Sequence, residues 1–339
     1  MRKMHTYKTS HARRAAWVVV LAGWWLMAML AMGCSEGDES DVPAPEPTPH
    51  GPVDGGGEEP TPGGETPTDT KDASRFISGV DEYCPAPGQF VNALPEITAD
   101  DDEVAVLKKC TESLSAGGGG MVTLGGYGGY VTFHFDHAIV NVAGAADLKI
   151  LGNAFAGNSE PGIVMVAEDT NGNGKPDDTW YELAGSADTD SVGKVRYGYS
   201  ITYRRVPMGD IPWKDNLGNE GVISRNDYHE QEYFPLWKGN ELTFSGTLLP
   251  PNAHPKKLDD GTTVWTLDAL RFGYVDNVPN NDATGNNFDL DWAVDEHRQP
   301  VNLKQIHFVR VYNAQNQQCG WIGETSTEVS GAEDLNFEN

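Results

Sequence analysis

Apolar and polar positions divide the 339-residue chain into three unequal stretches. Ala15–Met32 is an uninterrupted apolar run. Residues 35–72 have almost no bulky aliphatic residues, only Val42 and Val53. From residue 73 onward, short apolar runs recur between Gly, Asn and Pro clusters. One segment there has helical spacing: Val106, Leu107, Cys110 and Leu114 recur every three or four residues. Asp100–Glu103 supplies acids before it, and Gly117–Gly120 follows, so a single helix is predicted between them. Strand character, with apolar residues on alternate positions or in short runs, marks 122–125, 130–137, 147–151, 162–167, 180–184, 197–205, 242–248, 264–274, 288–294 and 305–312. About ten strands and one N-terminal helix predict an all-β fold, an antiparallel β-sandwich of jelly-roll type. No repeat of fixed period and no internal linker divides 74–339, so one domain is expected there.

The first 33 residues read as an address. Met1–Arg14 is basic, the apolar run follows, and Gly33-Cys34 closes it, the layout of a secretory signal peptide. Leu30-Ala31-Met32-Gly33-Cys34 resembles a bacterial lipobox, which makes Cys34 the acylated first residue of the mature chain. An uncleaved membrane anchor is the competing reading, since 18 apolar residues reach the lower limit for a span. Residues 34–73 then form an acidic Pro/Gly-rich tether. This stretch cannot bury enough apolar surface to offset its ordering entropy, and its charge and prolines extend it. Its acidic start resembles the export tag of surface lipoproteins in Bacteroidetes-type bacteria.

Charge removes one class of function. Fifty acids against 24 bases give a net charge of -26, and beyond the basic start no basic patch interrupts the excess. Nucleic-acid binding, which draws its affinity from Lys and Arg on phosphates, is excluded.

One loop carries definite chemistry. Asp169, Asn171 and Asn173 occupy alternate positions, Gly174 stands at the turn, Lys175 offers a carbonyl, and Asp177 follows. This is the oxygen spacing of a calcium loop, with Asp178 or Glu182 expected to complete the shell and Ca²⁺ as a structural ion. A second loop, Tyr274–Asp282, has the oxygens without ordered spacing and reads as a turn. Three cysteines remain after Cys34. In an oxidising compartment they allow at most one disulfide, with Cys84–Cys319 favoured over Cys84–Cys110. His134 and His137 lie on opposite faces of one strand and do not converge as metal ligands. There is no GxSxG or P-loop, and no carboxylate pair stands out among so many acids. Aromatics in loop contexts are the candidates for stacking on a flat ligand: Trp213 with Asp215 in Ile211–Asn216 first, then Trp237 and Trp321.

Several segments are distinctive together: Glu82-Tyr83-Cys84-Pro85-Ala86-Pro87-Gly88-Gln89-Phe90, Leu124–Val131, Phe135-Asp136-His137, Gly152–Phe155, Ser159–Gly162, Asp169–Ser186 and Cys319–Glu328. Over most of 76–335 they resemble a family of bacterial cell-surface lipoproteins frequent in gut Bacteroidetes, and the framework is similar to galactose-binding-like jelly rolls. The resemblance implies an outer-membrane or cell-surface location, held to the membrane through the lipid anchor alone. It also implies partnership with a TonB-dependent importer and capture of a glycan or another small nutrient without catalysis. The rival expectations are a carboxylate-based hydrolase or lyase acting on carbohydrate, and a corrinoid-capturing, adhesive or structural envelope protein.

Overall fold

The computed structural model describes residues 73–115, 119–226 and 228–338, with the side chain of Trp321 also outside the description. Residues 1–72, which carry the expected signal peptide, the acylated Cys34 and nearly all of the tether, lie outside the described residues. No described helix is long and apolar enough to cross a membrane.

Alternating burial gives a chain of short strands around one helix. In order they are β1 (Gly79–Cys84), helix α1 (Glu103–Leu114), β2 (Val122–Thr123), β3 (Tyr130–Val140), β4 (Leu148–Leu151), β5 (Gly162–Ala167), β6 (Trp180–Leu183) and β7 (Arg196–Arg204). There follow β8 (Ile211–Asp215), β9 (Glu220–Ile223), β10 (Glu241–Leu248), β11 (Ala253–Lys257), β12 (Thr263–Leu267), β13 (Asn287–Phe288), β14 (Ala293–Val294), β15 (Gln305–Asn313), β16 (Glu328–Val329) and β17 (Gly331–Asp334). The main sheet runs β1-β3-β15-β5-β6-β14 and is antiparallel throughout. β15 sits between β3 and β5, with Val309 opposite Phe133 on one side and Val166 on the other. A three-stranded sheet, β13-β4-β17, and a four-stranded one, β10-β7-β8-β9, complete the larger layers.

The layers close over separate cores, which makes the domain an all-β sandwich, as the strand pattern predicts. Val131, Phe133, Val164, Val166, Val309 and Val311 of the main sheet pack with Leu148 and Ile150 of β4, Phe288 and Ala332, and with Val106, Cys110 and Leu114 of the helix. Tyr199, Ile201, Tyr203, Ile211, Ile223 and Phe244 of the four-stranded sheet make a second core with Tyr127, Tyr233 and Phe234. Burial of such apolar area is the main term holding the layers together.

The helix starts where the acids predict. Asp102 is its N-cap, and its carboxylate accepts the Ala105 N–H at 2.9 Å. Asp102→Ala is expected to cost about 1 kcal/mol in urea unfolding, the usual value of a cap.

Two predicted strands are corrected. Phe288–Val294 is not continuous, because a 3-10 turn at Leu290–Trp292 separates β13 from β14. Asp289 causes the break: its carboxylate accepts the Asp291 N–H at 2.8 Å and starts the turn. The strand expected over 264–274 ends at Leu267. Beyond it the buried Asn277 side chain takes both Leu270 backbone groups, accepting its N–H and donating to its C=O at 2.7 Å each. Strands β8 and β11 contain Pro212 and Pro255, which hid them from pattern reading.

The expected Cys84–Cys319 disulfide is also corrected. Cys84, Cys110 and Cys319 are all free thiols. Cys84 ends β1 and packs against the second core, Cys110 belongs to the first, and Cys319 is buried where the charges of Glu160 and Glu324 act on it. Burial pushes the Cys110 and Cys319 thiols up to about 12, so both are inert at neutral pH.

Candidate functional site

A cavity of about 280 Å³ opens between the four-stranded sheet and the segment 315–325. Trp213 of β8 forms one wall, opposite Gly221 of β9 in the strand register. Gly221 is what lets the indole lie flat across the hairpin, since a Cβ there would come within 2.4 Å of Trp213 Cζ2. Behind it Tyr203 donates its hydroxyl proton to the Tyr127 carbonyl at 3.2 Å, and Tyr127 meets Tyr199 edge to face at 4.9 Å. These contacts fix the aromatic wall before any ligand arrives.

The facing wall is made of amides, Gln315, Asn316, Gln317 and Gln318. Asn252 holds two of them, its Oδ1 accepting from Gln315 Nε2 at 3.0 Å and from Gln317 Nε2 at 2.7 Å. Asn316 donates to the Tyr199 hydroxyl at 3.1 Å, which ties the two walls together.

Glu324 forms the floor. It is 4% exposed, and its Oε1 accepts the Gln89 N–H at 2.5 Å, while Oε2 is buried without a hydrogen-bond partner. Burial pushes its carboxyl up to about 7.

Beneath this floor lies a second group of acids. One carboxylate oxygen each from Glu160, Asp276 and Glu328 lie within 4.8 Å of one another. Asp276 Oδ1 accepts the N–H groups of Asn153 and Ala154 at 2.7 Å each, and its Oδ2 accepts that of Glu328 at 2.9 Å. Glu160 Oε1 accepts the Ser326 N–H at 3.1 Å, and Glu328 Oε1 accepts the Thr123 hydroxyl at 2.9 Å. Burial, then mutual repulsion for Glu160 and Glu328, raises these carboxyls above their ordinary values.

Several of the distinctive sequence segments meet here. Gly88 and Gln89 back onto Glu324, the glycine turn 125–129 borders the cavity, and 159–162 and 324–328 supply the acids. The Tyr274–Asp282 loop, which had read as a plain turn, provides Asp276 with φ at 57°. Sequence reasoning missed these acids because they are far apart along the chain and share no motif spacing.

The predicted site residues fall in different places. Asp169, Asn171, Asn173, Lys175 and Asp177 do share one loop between β5 and β6. Asp169 accepts the N–H groups of Asn173 and Gly174 at 3.1 and 2.8 Å, and Asn173 Oδ1 accepts that of Lys175 at 2.8 Å. The amide groups of Asn171 and Asn173 donate to Asp177, whose carboxyl is lowered by them. Asp178 accepts from Thr170 and keeps Oδ2 buried and unpartnered. The donors are all hard oxygens, the chemistry Ca²⁺ takes. Glu182 is the exception and is corrected. It lies in β6, a strand of the main sheet, where Arg298 at 2.6 Å and the Thr247 hydroxyl at 2.8 Å hold its carboxylate.

Of the aromatic candidates, only Trp213 lines the cavity among the described residues. Asp215 closes the β8–β9 hairpin instead, accepting the Asn219 N–H at 2.7 Å and the Tyr199 hydroxyl proton at 3.1 Å. Trp237 stacks on Tyr83 at 5.6 Å and packs against the first core. Trp321 lies outside the described residues as far as its side chain is concerned. His134 pairs with Asp81, and His137 bridges Asp136 and Asp334, so both are held by carboxylates.

No protein-family model matches the chain, and no curated protein matches it.

Proposed function

We propose that the chain is a lipid-anchored protein of the outer membrane or cell surface whose folded domain captures a glycan. The observation that carries this reading is the cavity itself. Trp213 offers an apolar face, and a row of four amides and one carboxylate offers hydrogen bonds across from it. A sugar has the matching surfaces: C–H faces that stack on aromatic rings and hydroxyls that pair with amides and carboxylates. Among the described lining residues Glu324 is the single carboxylate, whereas glycoside hydrolysis uses a pair, so capture is favoured over turnover. The basic, apolar and Cys-terminated start of the chain supports the anchor at Cys34, and the acidic stretch after it supports a reach away from the membrane. In this role the protein hands its ligand to a TonB-dependent importer. The loop at 169–178 holds a structural Ca²⁺ that neutralises its carboxylates.

Calorimetry against a panel of neutral and acidic oligosaccharides tests the capture. Trp213→Ala is expected to weaken the binding of any hit by about tenfold or more, since it removes the stacking face. If no glycan binds, or if the variant binds as well as the parent, the cavity is not the site.

A further inference from the structure

We propose that Glu160, Asp276 and Glu328 form a buried site for one divalent cation of the calcium class, distinct from the 169–178 loop. Three oxygens mutually within 4.8 Å define a triangle whose centre lies at most about 2.8 Å from each. Only a small closure brings them to the roughly 2.3–2.6 Å of Ca²⁺–oxygen bonds.

The need for a cation follows from charge. Among the described residues, no Lys, Arg or His forms an ion pair with Glu160, Asp276, Glu324 or Glu328. An uncompensated buried carboxylate costs several kcal/mol, and here the cost repeats within one small volume. The hydrogen bonds from Asn153, Ala154, Ser326 and Thr123 satisfy lone pairs but carry no positive charge.

The second observation is Glu324. Its side chain is almost wholly buried and its Oε2 has no hydrogen-bond partner. Its own segment reaches the trio: Ser326, two residues on, donates its N–H to Glu160 at 3.1 Å, and Glu328 is itself one of the three. A water molecule on the cation would donate to this oxygen and satisfy it. Asn153 also keeps a buried Oδ1 without a partner, while its backbone N–H holds Asp276. These are hard oxygen donors, the set a flexible calcium shell of six to eight takes.

The three ligands come from three separate segments, before β5, after β12 and in β16. An ion between them ties the 324–328 segment, which carries the cavity floor, to the body of the sandwich. The alternative resolution is protonic: the carboxyls share protons and no ion enters.

Native mass spectrometry and calcium calorimetry at pH 8, on protein first dialysed against EDTA, separate these outcomes. The parent is expected to hold one ion more than Glu328→Gln or Glu160→Gln, and Asp169→Ala is expected to keep that ion. If the parent binds no Ca²⁺, or if Asp169→Ala removes all binding, the trio is protonic and the proposal fails. If the Gln variants do not fold, crystals of the parent soaked in Mn²⁺ decide. Anomalous density between the three carboxylates supports the site, and its absence there overturns it.

Discussion

Gly125→Ala and Gly129→Ala are each expected to cost more than about 4 kcal/mol, enough to leave little folded protein at 37 °C. Both glycines belong to the turn Gly125-Gly126-Tyr127-Gly128-Gly129 that borders the cavity. At Gly125, where φ is +68°, a Cβ would fall 1.9 Å from the Ala86 carbonyl oxygen. At Gly129 it would fall 1.9 Å from the Leu124 oxygen and 2.2 Å from the Ala86 nitrogen. Those two atoms are hydrogen-bonded to each other at 3.0 Å, so neither can move aside without breaking that bond. The obstacle is backbone in both cases, and backbone cannot rotate out of the way as a side chain can. Asn313 fixes the turn from the other side, donating to the Gly125 and Thr325 carbonyls at 2.6 and 2.8 Å. The comparison is Gly144, whose φ is +72° but whose Cβ position is open. Gly144→Ala should cost only about 1 kcal/mol, the conformational part alone. Circular dichroism and urea unfolding of the three variants test this. Equal losses at Gly125 and Gly144 would mean that the turn relaxes and the packing argument is wrong.

The fold was legible wherever one residue's neighbours along the chain also decide its environment. The helix over 103–114 shows its acids, its apolar stripe and its glycine stop in a single window, and it forms there. The strands of the main sheet alternate or run apolar for the same reason. Reading failed where a side chain competes with the backbone, as Asp289 and Asn277 do. It also failed for Cys84 and Cys319, because proximity in a fold is not encoded by position near the two ends of a domain. The site was half legible. Trp213 was visible as an aromatic flanked by Pro and Asp. Its partners were not, because Glu324, Gln315 and Tyr203 come together only when the four-stranded sheet packs against a distant segment. The Asp/Asn loop at 169–178 announces itself through local spacing, whereas Glu160, Asp276 and Glu328 are assembled by topology alone.

Glu324→Gln is expected to gain about 3 kcal/mol of stability over the parent between pH 4 and pH 8, measured in EDTA. The carboxyl of Glu324 is raised from an ordinary 4.5 to about 7 by burial. A raised acid favours the folded state only while protonated. Its contribution is therefore complete below about pH 4.5 and is lost as pH rises through about 7. Two and a half pH units correspond to about 3 kcal/mol. Glutamine stays neutral across the range and keeps an acceptor for the Gln89 N–H, so the variant escapes the loss. It also preserves size, which matters because Gly88 leaves little room: a Cβ there would lie 2.7 Å from Glu324 Oε1. Urea midpoints should differ little at pH 4 and widely at pH 8. Parallel stability curves for the two proteins would show that Glu324 is solvated in the cavity, not buried beneath it. The same substitution bears on capture. In the proposed capture Glu324 is the floor of the cavity, and its charge when ionised would strengthen the hydrogen bonds made around it, which a neutral amide would not do. The variant that stabilises the domain at pH 8 should then bind glycan more weakly there, and a stable protein with weaker binding is what a floor residue held for its ligand would give.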